Sequence, residues 1–339
     1  MKDGLSPFTE DDLVSAIRRL LRDEAPGVWL GPGDDAAVVE FGPHQGIITV
    51  DMMVEGVHFR RSTSSPRDLG YKALAVNVSD VAAMGGSPRY AVISLGLPLG
   101  VDIAWVVELY GGLRECSAEH AMAVVGGDTS RAGCVIISVA VTGEVANGSA
   151  ITRSGAGPGD RIVVTGSLGA AAGGLLLSQA DPARIGATVS SDWGRSLLAA
   201  QARPVARVGE GQTLAQSGAT AMMDLSDGLA KDLSRLCRES GVGAEVMLQD
   251  LPVAVELTRL TELMEVDPLR LALSGGDDYE LLAALPASAV EETARRLRER
   301  FGTPLADIGT FTPGKGLTTI DTNGLERPLE PQGWDHFGG

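Results

Sequence analysis

"VVGGDTS", residues 124–130, is a short apolar run that ends in two glycines and an aspartate. Apolar runs of this kind, bounded by Gly, Asp and Ser, are typical of buried strands that end in tight turns. Similar stretches are "GPGDDAAVV" at 31–39, "ITVDMMVEG" at 48–56, "MMDLSDG" at 222–228 and "LSGGDDYEL" at 273–281. Both halves of the chain therefore contain predicted strands that end in acidic turns.

Segments with helical periodicity lie between these stretches. In the first half we predict helices at 9–24, 67–84 and 102–119, and strands at 36–41, 46–51, 90–97, 121–126 and 134–145. In the second half we predict a strand, a turn and a helix over 161–178, helices at 206–217, 228–240, 253–264 and 287–301, and strands at 220–224, 244–248, 279–285, 305–311 and 317–321. Because strands and helices mix in both halves, the predicted class is α/β, or α+β, with two domains.

The best predicted domain boundary is "NGSAITRSGAGPGDR" at 147–161, which is rich in Gly and Ser. It divides the chain into an N-terminal domain, 1–148, and a C-terminal domain, 149–339. A length of 339 residues, 44% of them apolar, is enough for two cores.

Composition excludes several classes of protein. The formal net charge is −16, whereas proteins that bind the nucleic-acid backbone carry basic patches, so no nucleic-acid partner is expected. No apolar run reaches the roughly 18 residues of a membrane span. The three cysteines form no CxxC motif and the N-terminus is polar and acidic. We therefore expect a reduced, cytoplasmic protein without structural zinc or a signal peptide.

The candidate site residues are nine aspartates, eight in these acidic turns and one, Asp80, in the predicted helix at 67–84. They are Asp34, Asp35, Asp51, Asp80, Asp128, Asp224, Asp227, Asp277 and Asp278. Any one of them is equally explained as a turn former or a helix cap, as "DLSDGL" at 224–229 illustrates. As a set they would repel one another unless cations held them together. Magnesium takes oxygen ligands, often one or two carboxylates plus substrate phosphates. The sequence therefore predicts a site with several metal ions that binds phosphates.

Two glycine-rich stretches have simpler interpretations. "GTFTPGKG" at 309–316 matches G-x-x-x-x-G-K but has Gly316 where a P-loop has Ser or Thr, so we interpret it as a hairpin turn. "TGSLGAAAGG" at 165–174 lacks G-x-G-x-x-G, so we interpret it as helix packing. His58 is interpreted equally well as a structural histidine or a ligand contact. No Ser/His/Asp or Cys/His spacing indicates a nucleophilic mechanism.

Taken together, the chain resembles the thiamine-monophosphate kinase family, in the superfamily of aminoimidazole ribonucleotide synthetase and selenophosphate synthetase. The matching stretches run in order over nearly the whole chain: "GPGDDAAV", "TVDMMVEGVHF", "YKALAVNVSDVAAMGGSPRY", "VVGGDTS", "ITRSGAGPGD", "DLSDGLAKDL", "LSGGDDYEL" and "GWDHFG". The resemblance implies a two-domain fold like that of aminoimidazole ribonucleotide synthetase. It also implies a homodimer in which the N-terminal mixed sheets form a β-barrel.

The resemblance implies transfer of the ATP γ-phosphate to thiamine monophosphate, directly and with several Mg²⁺ ions, giving thiamine diphosphate. A need for K⁺ is left open. The implied metal ligands are Asp35, Thr49, Val50, Asp51, Asp80, Asp128, Asp224 and Asp227. The implied ATP contacts are Tyr110, Gly127, Asp128, Arg153 and Ser226. The implied contacts with thiamine monophosphate are His58, Asp277 and Trp334. No general base is implied, because the acceptor phosphate is already ionised.

Three positions depart from the family pattern. One is Ala206 in "RPVARV" at 203–208, which stands where the family usually has Pro. Asp277 stands where the family usually has Glu, which shortens that substrate contact by one methylene. Val50 stands where Ser or Thr is common, so only its backbone could contact a metal. Two alternatives remain: another ATP-dependent enzyme of the same superfamily, and a non-enzymatic acidic metal-binding protein. No Cys precedes Cys116, which disfavours selenophosphate synthetase, and "VEGVHF" and "GWDHF" disfavour aminoimidazole ribonucleotide synthetase.

Overall fold

A computed structural model describes residues 27–31 and 34–336, apart from the side chains of 182–184 and 187. The helix predicted at 9–24 lies outside these residues. The first sheet has the strand order β1-β2-β3-β6-β4-β5. Its strands are β1 (Val28–Leu30), β2 (Ala37–Phe41), β3 (His44–Val54), β4 (Ser87–Leu97), β5 (Ala123–Arg131) and β6 (Ile136–Val145). Among these described strands of the first sheet, β4 and β5 are the one pair in parallel.

Helices α1 (Pro66–Ala83) and α2 (Ile103–Glu119) cover one face of the first sheet. Every second residue of β6 is buried, including Ile137, Val139 and Val141, because alternate side chains of a strand face the helices. α1 is buried around almost its whole circumference, since it packs between the first sheet and elements of the second half. Lys72 and Asp80 of α1 therefore lie at the contact between the two halves.

The second sheet has the order β13-β12-β9-β11-β7-β10-β8. Its strands are β7 (Arg161–Thr165), β8 (Ala221–Asp224), β9 (Gly243–Met247), β10 (Leu281–Leu285), β11 (Leu305–Thr312), β12 (Leu317–Ile320) and β13 (Glu326–Pro328). The accompanying helices are α3 (Ala170–Gln179), α4 (Pro182–Val189), α5 (Asp192–Ala202), α6 (Val208–Gln216), α7 (Leu229–Ser240), α8 (Glu256–Met264), α9 (Pro268–Ser274) and α10 (Val290–Phe301). The central strands β7 and β10, and β8 at one edge of the sheet, are almost wholly buried.

Most predicted elements within the described residues are present, and the mixed α/β class is confirmed. Elements missing from the prediction are β1, α4, α5, α9 and β13. Among the described helices, none combines the length and apolar composition that a membrane crossing requires.

Two interpretations of glycine-rich stretches are wrong. β11 and β12 do not form a hairpin across 309–316, because each pairs with β9, from opposite sides. The "VVGGDTS" stretch does not end in a turn at Gly126, since β5 continues to Arg131 with a bulge near Val125. Likewise β3 continues through Asp51 to Val54. Asp51 and Asp128 are therefore strand residues, with side-chain directions fixed by the pleat.

Candidate functional site

Three aspartates from distant parts of the chain converge between the two halves. Asp35 precedes β2, Asp80 lies on α1 and Asp224 ends β8. One carboxylate oxygen from each lies within 4.8 Å of the others. Asp35 and Asp224 are buried, and Asp80 is partly accessible. Carboxylates from both halves of the chain therefore meet at one place, and their role as metal ligands stays a prediction.

The cluster is short of compensating positive charge. Arg153 Nη2 lies 2.5 Å from Asp35 Oδ1. Among the described residues, this is the one ion pair that the three carboxylates make. The second oxygen of Asp35, Oδ2, is buried and accepts no hydrogen bond. Burial, followed by the neighbouring carboxylates, raises the pKa of Asp80 and of Asp224 well above the usual range. Buried oxygens with too few donors suit hard divalent cations, so these residues fit Mg²⁺.

Two hydroxyl groups orient the cluster. The Thr49 hydroxyl donates to Asp80 Oδ2 at 2.5 Å, and the Ser79 hydroxyl donates to Asp224 Oδ2 at 2.6 Å. Each hydrogen bond fixes the orientation of one carboxylate of the cluster. Thr49, predicted as a metal ligand, therefore lies in contact with the cluster in this structure.

Asp51 borders the same cluster. Thr49 and Asp51 point to one face of β3, and Val50 points to the other, with 63% of its surface exposed. The backbone N–H of Asp51 donates to Asn77 Oδ1 at 3.0 Å, while its carboxylate is accessible. Desolvation by the surrounding protein, then the charges of Asp35 and Asp227, raises the pKa of Asp51 to about 6. The side chain of Val50 cannot take part in such a site.

A separate cleft lies between α2 and β5. Its volume is about 700 Å³, which is large enough for a nucleotide. Its lining includes Tyr110, Gly127 and Asp128, three of the residues predicted to contact ATP. Arg114, one turn after Tyr110, adds a cationic side chain to the cleft and was missed from the sequence. Asp128 is exposed on β5 and is not part of the three-carboxylate cluster.

Asp227 and Ser226 lie on the loop between β8 and α7. The Asp227 carboxylate is paired with Arg235 at 2.6 Å and with Lys231 at 3.2 Å, so two cations hold it in this structure. The Ser226 carbonyl accepts the backbone N–H of Asp277 at 2.9 Å. This loop therefore joins the carboxylate cluster to the segment that carries Asp277.

The predicted substrate residues His58 and Trp334 come together around a histidine that the prediction did not single out. The rings of His58 and His336 are 4.9 Å apart, and Trp334 meets His336 edge-on at 5.7 Å. Lys231 donates to the Trp334 carbonyl, which holds the C-terminal segment on α7. Burial and the nearby His336 lower the pKa of His58, which favours a neutral imidazole. The "GWDHF" motif was the signal for His336.

Asp277 lies near this aromatic group, because its backbone N–H donates to the Ser226 carbonyl at 2.9 Å and that of Trp334 donates to the next carbonyl, of Asp227, at 3.1 Å. Lys72 on α1 pairs with Asp277 at 2.7 Å, and Tyr279 OH donates to its other oxygen at 3.2 Å. Lys72 and Tyr279 were also missed. The signal for Lys72 was a single charge within the apolar run "YKALAVNVS".

Asp278, the neighbour of Asp277, has a structural role. Its carboxylate accepts the backbone N–H groups of Gly169 at 2.8 Å and Ala171 at 3.4 Å, at the start of α3. Burial raises the pKa of Asp278 to about 8 in spite of these hydrogen bonds. For this aspartate, the helix-cap interpretation explains the observed contacts.

Comparisons with known proteins agree with this architecture. Residues 33–145 match the N-terminal domain of AIR synthase related proteins, and residues 157–322 match their C-terminal domain. A structure described as AaThiL complexed with AMPPCP and TMP is 33% identical, covers 98% of each chain and has a TM-score of 0.83. The two-domain fold predicted from the sequence is thereby confirmed. HypE of E. coli, at 20% identity and a TM-score of 0.68, shares the fold alone.

Curated relatives match over nearly their whole length. The thiamine-monophosphate kinase of Escherichia coli (strain K12) is 37% identical, over 97% of this chain and 98% of its own. The thiamine-monophosphate kinase of Bacillus subtilis (strain 168) is 35% identical, over 97% of this chain and 99% of its own. The chain therefore belongs to the thiamine-monophosphate kinase family of AIR synthase related proteins.

Proposed function

We propose that this protein transfers the γ-phosphate of ATP to the phosphate of thiamine monophosphate, giving thiamine diphosphate and ADP. The observation that carries the proposal is the buried cluster of Asp35, Asp80 and Asp224, which contains an oxygen without a partner. A phosphoryl transfer between two anions needs such a place for cations. The relatives named above, one of them solved with AMPPCP and TMP, indicate the two substrates.

The carboxylates proposed to hold Mg²⁺ are those of Asp35, Asp51, Asp80 and Asp224. The hydroxyl of Thr49 and the backbone of Val50 are proposed as further ligands. Asp128 would bind from the nucleotide cleft and Asp227 from the loop after β8. When bound, the ions would screen the repulsion between the two substrates and neutralise charge on the bridging oxygens. Asp227 would have to exchange Arg235 and Lys231 for a metal ion, since both contact it in this structure.

ATP is proposed to lie in the cleft between α2 and β5. Tyr110 offers an aromatic face for the base, and Gly127 lets the backbone approach the phosphates. Arg153 supplies fixed positive charge and is already directed at the cluster through Asp35. Ser226 is proposed as a further contact from the second half. Placed in this way, the nucleotide would join residues of the two proposed domains, 1–148 and 149–339.

Thiamine monophosphate is proposed to lie against His58, Asp277 and Trp334. An indole face suits the flat, cationic thiazolium ring or the pyrimidine. Transfer is proposed to be direct and in line: the bond from the γ-phosphorus to the β,γ-bridging oxygen breaks as the acceptor phosphate oxygen attacks. Alignment matters more than a strong base in such a reaction, and the acceptor is ionised at neutral pH.

The test is an ADP-release assay with Mg²⁺ and ATP, run separately with thiamine monophosphate, thiamine and the acceptors of the related synthetases. We expect ADP release with thiamine monophosphate, together with thiamine diphosphate as the product. Release with a different acceptor would favour another enzyme of the superfamily. Calcium binding without any nucleotide binding would favour a metal-binding protein without activity.

Trp334→Ala is expected to weaken binding of thiamine monophosphate about tenfold or more while changing ATP affinity little, because a stacked cation is worth about 1–2 kcal/mol. Calorimetric titration of each ligand measures both effects. Trp29→Ala is the matched control, since Trp29 is 51% exposed and Trp334 49%, but Trp29 lies on β1. Equal losses for both ligands would remove the proposed role of Trp334.

We also propose that the protein is cytoplasmic and forms a homodimer. The proposed dimer contact is the face of the first sheet that α1 and α2 leave uncovered. Val50, Ala140 and Val92 form one row across β3, β6 and β4, and Ile48 and Tyr90 flank it. The large side chains in these rows are 39–63% exposed. Apolar surface of this kind marks an interface, and pairing two such sheets would give the predicted barrel.

Tyr90→Glu is expected to convert a dimer into a monomer at micromolar concentration, because it would bury a charge within the proposed contact. Sedimentation velocity measures the mass. Leu99→Glu, at an equally apolar residue that is 77% exposed beyond β4, should leave the dimer intact. A monomeric wild type, or two variants that behave alike, would contradict this interface.

A further inference from the structure

Lys72 is a buried charge at the contact between the two halves of the molecule. Only 5% of its surface is exposed, on a helix whose neighbouring residues are apolar. A buried ammonium group is costly unless it is paired and hydrogen-bonded. Lys72 Nζ donates to Asp277 Oδ2 at 2.7 Å and to the Gln201 carbonyl at 2.9 Å. Both partners belong to the second half, whereas Lys72 belongs to the first.

The segment around Asp277 is held in an unusual backbone conformation. Asp277 has φ of +69° and Tyr279 has φ of +50°, values that residues with a side chain seldom adopt. The backbone N–H groups of these residues donate to the carbonyls of Ser226 and Leu225, both at 2.9 Å. The main chain is therefore fixed by the loop after β8, and the side chain of Asp277 is held by separate contacts.

Those contacts reach both oxygens of the carboxylate. Lys72 donates to Oδ2, and Tyr279 OH donates to Oδ1 at 3.2 Å. The side chain of Asp277 still has 36% of its surface exposed. The aromatic group lies nearby, since the Trp334 backbone N–H donates to the Asp227 carbonyl, on the same loop that holds the Asp277 backbone. An oriented, accessible carboxylate beside aromatic rings is suited to a cation and repels a phosphate.

We propose that Lys72 is a positioning residue, which fixes the carboxylate of Asp277 for contact with the cationic thiamine portion of the substrate. This inference rests on the proposed function. It specifies that Asp277 contacts the thiamine portion of the substrate and that Lys72 holds Asp277 in place. Lys72 acts through Asp277 and does not touch the phosphate. Its loss therefore affects thiamine and thiamine monophosphate alike.

The experiment titrates thiamine, thiamine monophosphate and ATP into wild type, Lys72→Met, Asp277→Asn and the double variant, by calorimetry with Mg²⁺ present. Lys72→Met should lower affinity for thiamine and thiamine monophosphate by the same factor, about tenfold, and leave ATP affinity unchanged. The double variant should bind as weakly as Asp277→Asn alone, because Lys72 has nothing to position there. Lys72→Arg, which keeps a donor and the charge, should recover part of the loss.

Three outcomes would overturn the inference: a loss confined to thiamine monophosphate, which would mean direct phosphate contact; losses that add in the double variant; or unchanged thiamine affinity. If Lys72→Met does not fold, Lys72→Gln gives the same comparison, since its amide can still donate to Gln201. Wild-type protein that fails to bind thiamine monophosphate at all would refute the proposed function. Normal wild-type binding with unaffected variants would refute the role of Lys72 alone.

Discussion

Replacing Asp80 by asparagine is expected to lower kcat about a thousandfold while raising the melting temperature of the metal-free protein. Burial, followed by the charges of the neighbouring Asp51, Asp224 and Asp35, raises the pKa of Asp80. Asparagine has nearly the same shape and can still accept the 2.5 Å hydrogen bond from Thr49. The substitution therefore removes repulsion and leaves packing intact, but it also removes a charge that we propose binds Mg²⁺.

Steady-state kinetics and thermal unfolding, with EDTA and with Mg²⁺, measure the two effects together. Wild-type protein should be stabilised by Mg²⁺, because a ligand that binds the native state alone raises its stability, and Asp80→Asn should lose most of this gain. Asp102→Asn is the control, since Asp102 caps α2 at the surface and asparagine caps equally well. An Asp80→Asn protein with normal turnover at limiting Mg²⁺ would contradict the metal site.

The same charges predict how the stability of the metal-free protein depends on pH. Desolvation and neighbouring carboxylates raise the pKa of Asp34 and Asp51 to about 6, from 3.8. Between these pH values the native state holds more protons than the unfolded state, so stability decreases as pH rises through about 6. Mg²⁺ competes with those protons, so its stabilising effect should be larger at pH 7.5 than at pH 5.5. A pH-independent melting temperature in EDTA would contradict this coupling.

The sequence was informative where a local pattern decides the structure. The apolar run of β8 ends at Asp224 as predicted, and α1 begins within one residue of the predicted start. Local patterns cannot show which turns meet in space. The acidic turns suggested a shared metal site for nine aspartates, and the family resemblance then implied Asp35, Asp80 and Asp224 among the metal ligands. Lys72 was missed because its partners, Gln201 and Asp277, are supplied by tertiary packing alone.

The errors have physical causes of the same kind. Gly-Gly-Asp at 126–128 has turn composition, but among the described strands β5 lies at the edge of the sheet and pairs with β4 alone, so the glycines can stay in the strand. The chain reverses at 313–316 as predicted, but β9 lies between β11 and β12 in the sheet. The two strands therefore pair with β9 and not with each other. In both cases the strand partner overrode the local signal.

Gly127→Ala is expected to lower the melting temperature by about 5 °C and to weaken ATP binding about tenfold or more. A Cβ atom at this position would lie 1.9 Å from the backbone carbonyl oxygen of Ile93, which is buried in β4 and cannot move aside. β5 would have to shift away from β4, and with it one wall of the proposed ATP cleft.

Gly126→Ala is the matched control: the same methyl group one residue earlier meets no atom within 4 Å. Thermal unfolding and ATP calorimetry of both variants separate a backbone clash from a general need for glycine in β5. The account fails if Gly127→Ala unfolds at the wild-type temperature, or if the two variants are destabilised equally.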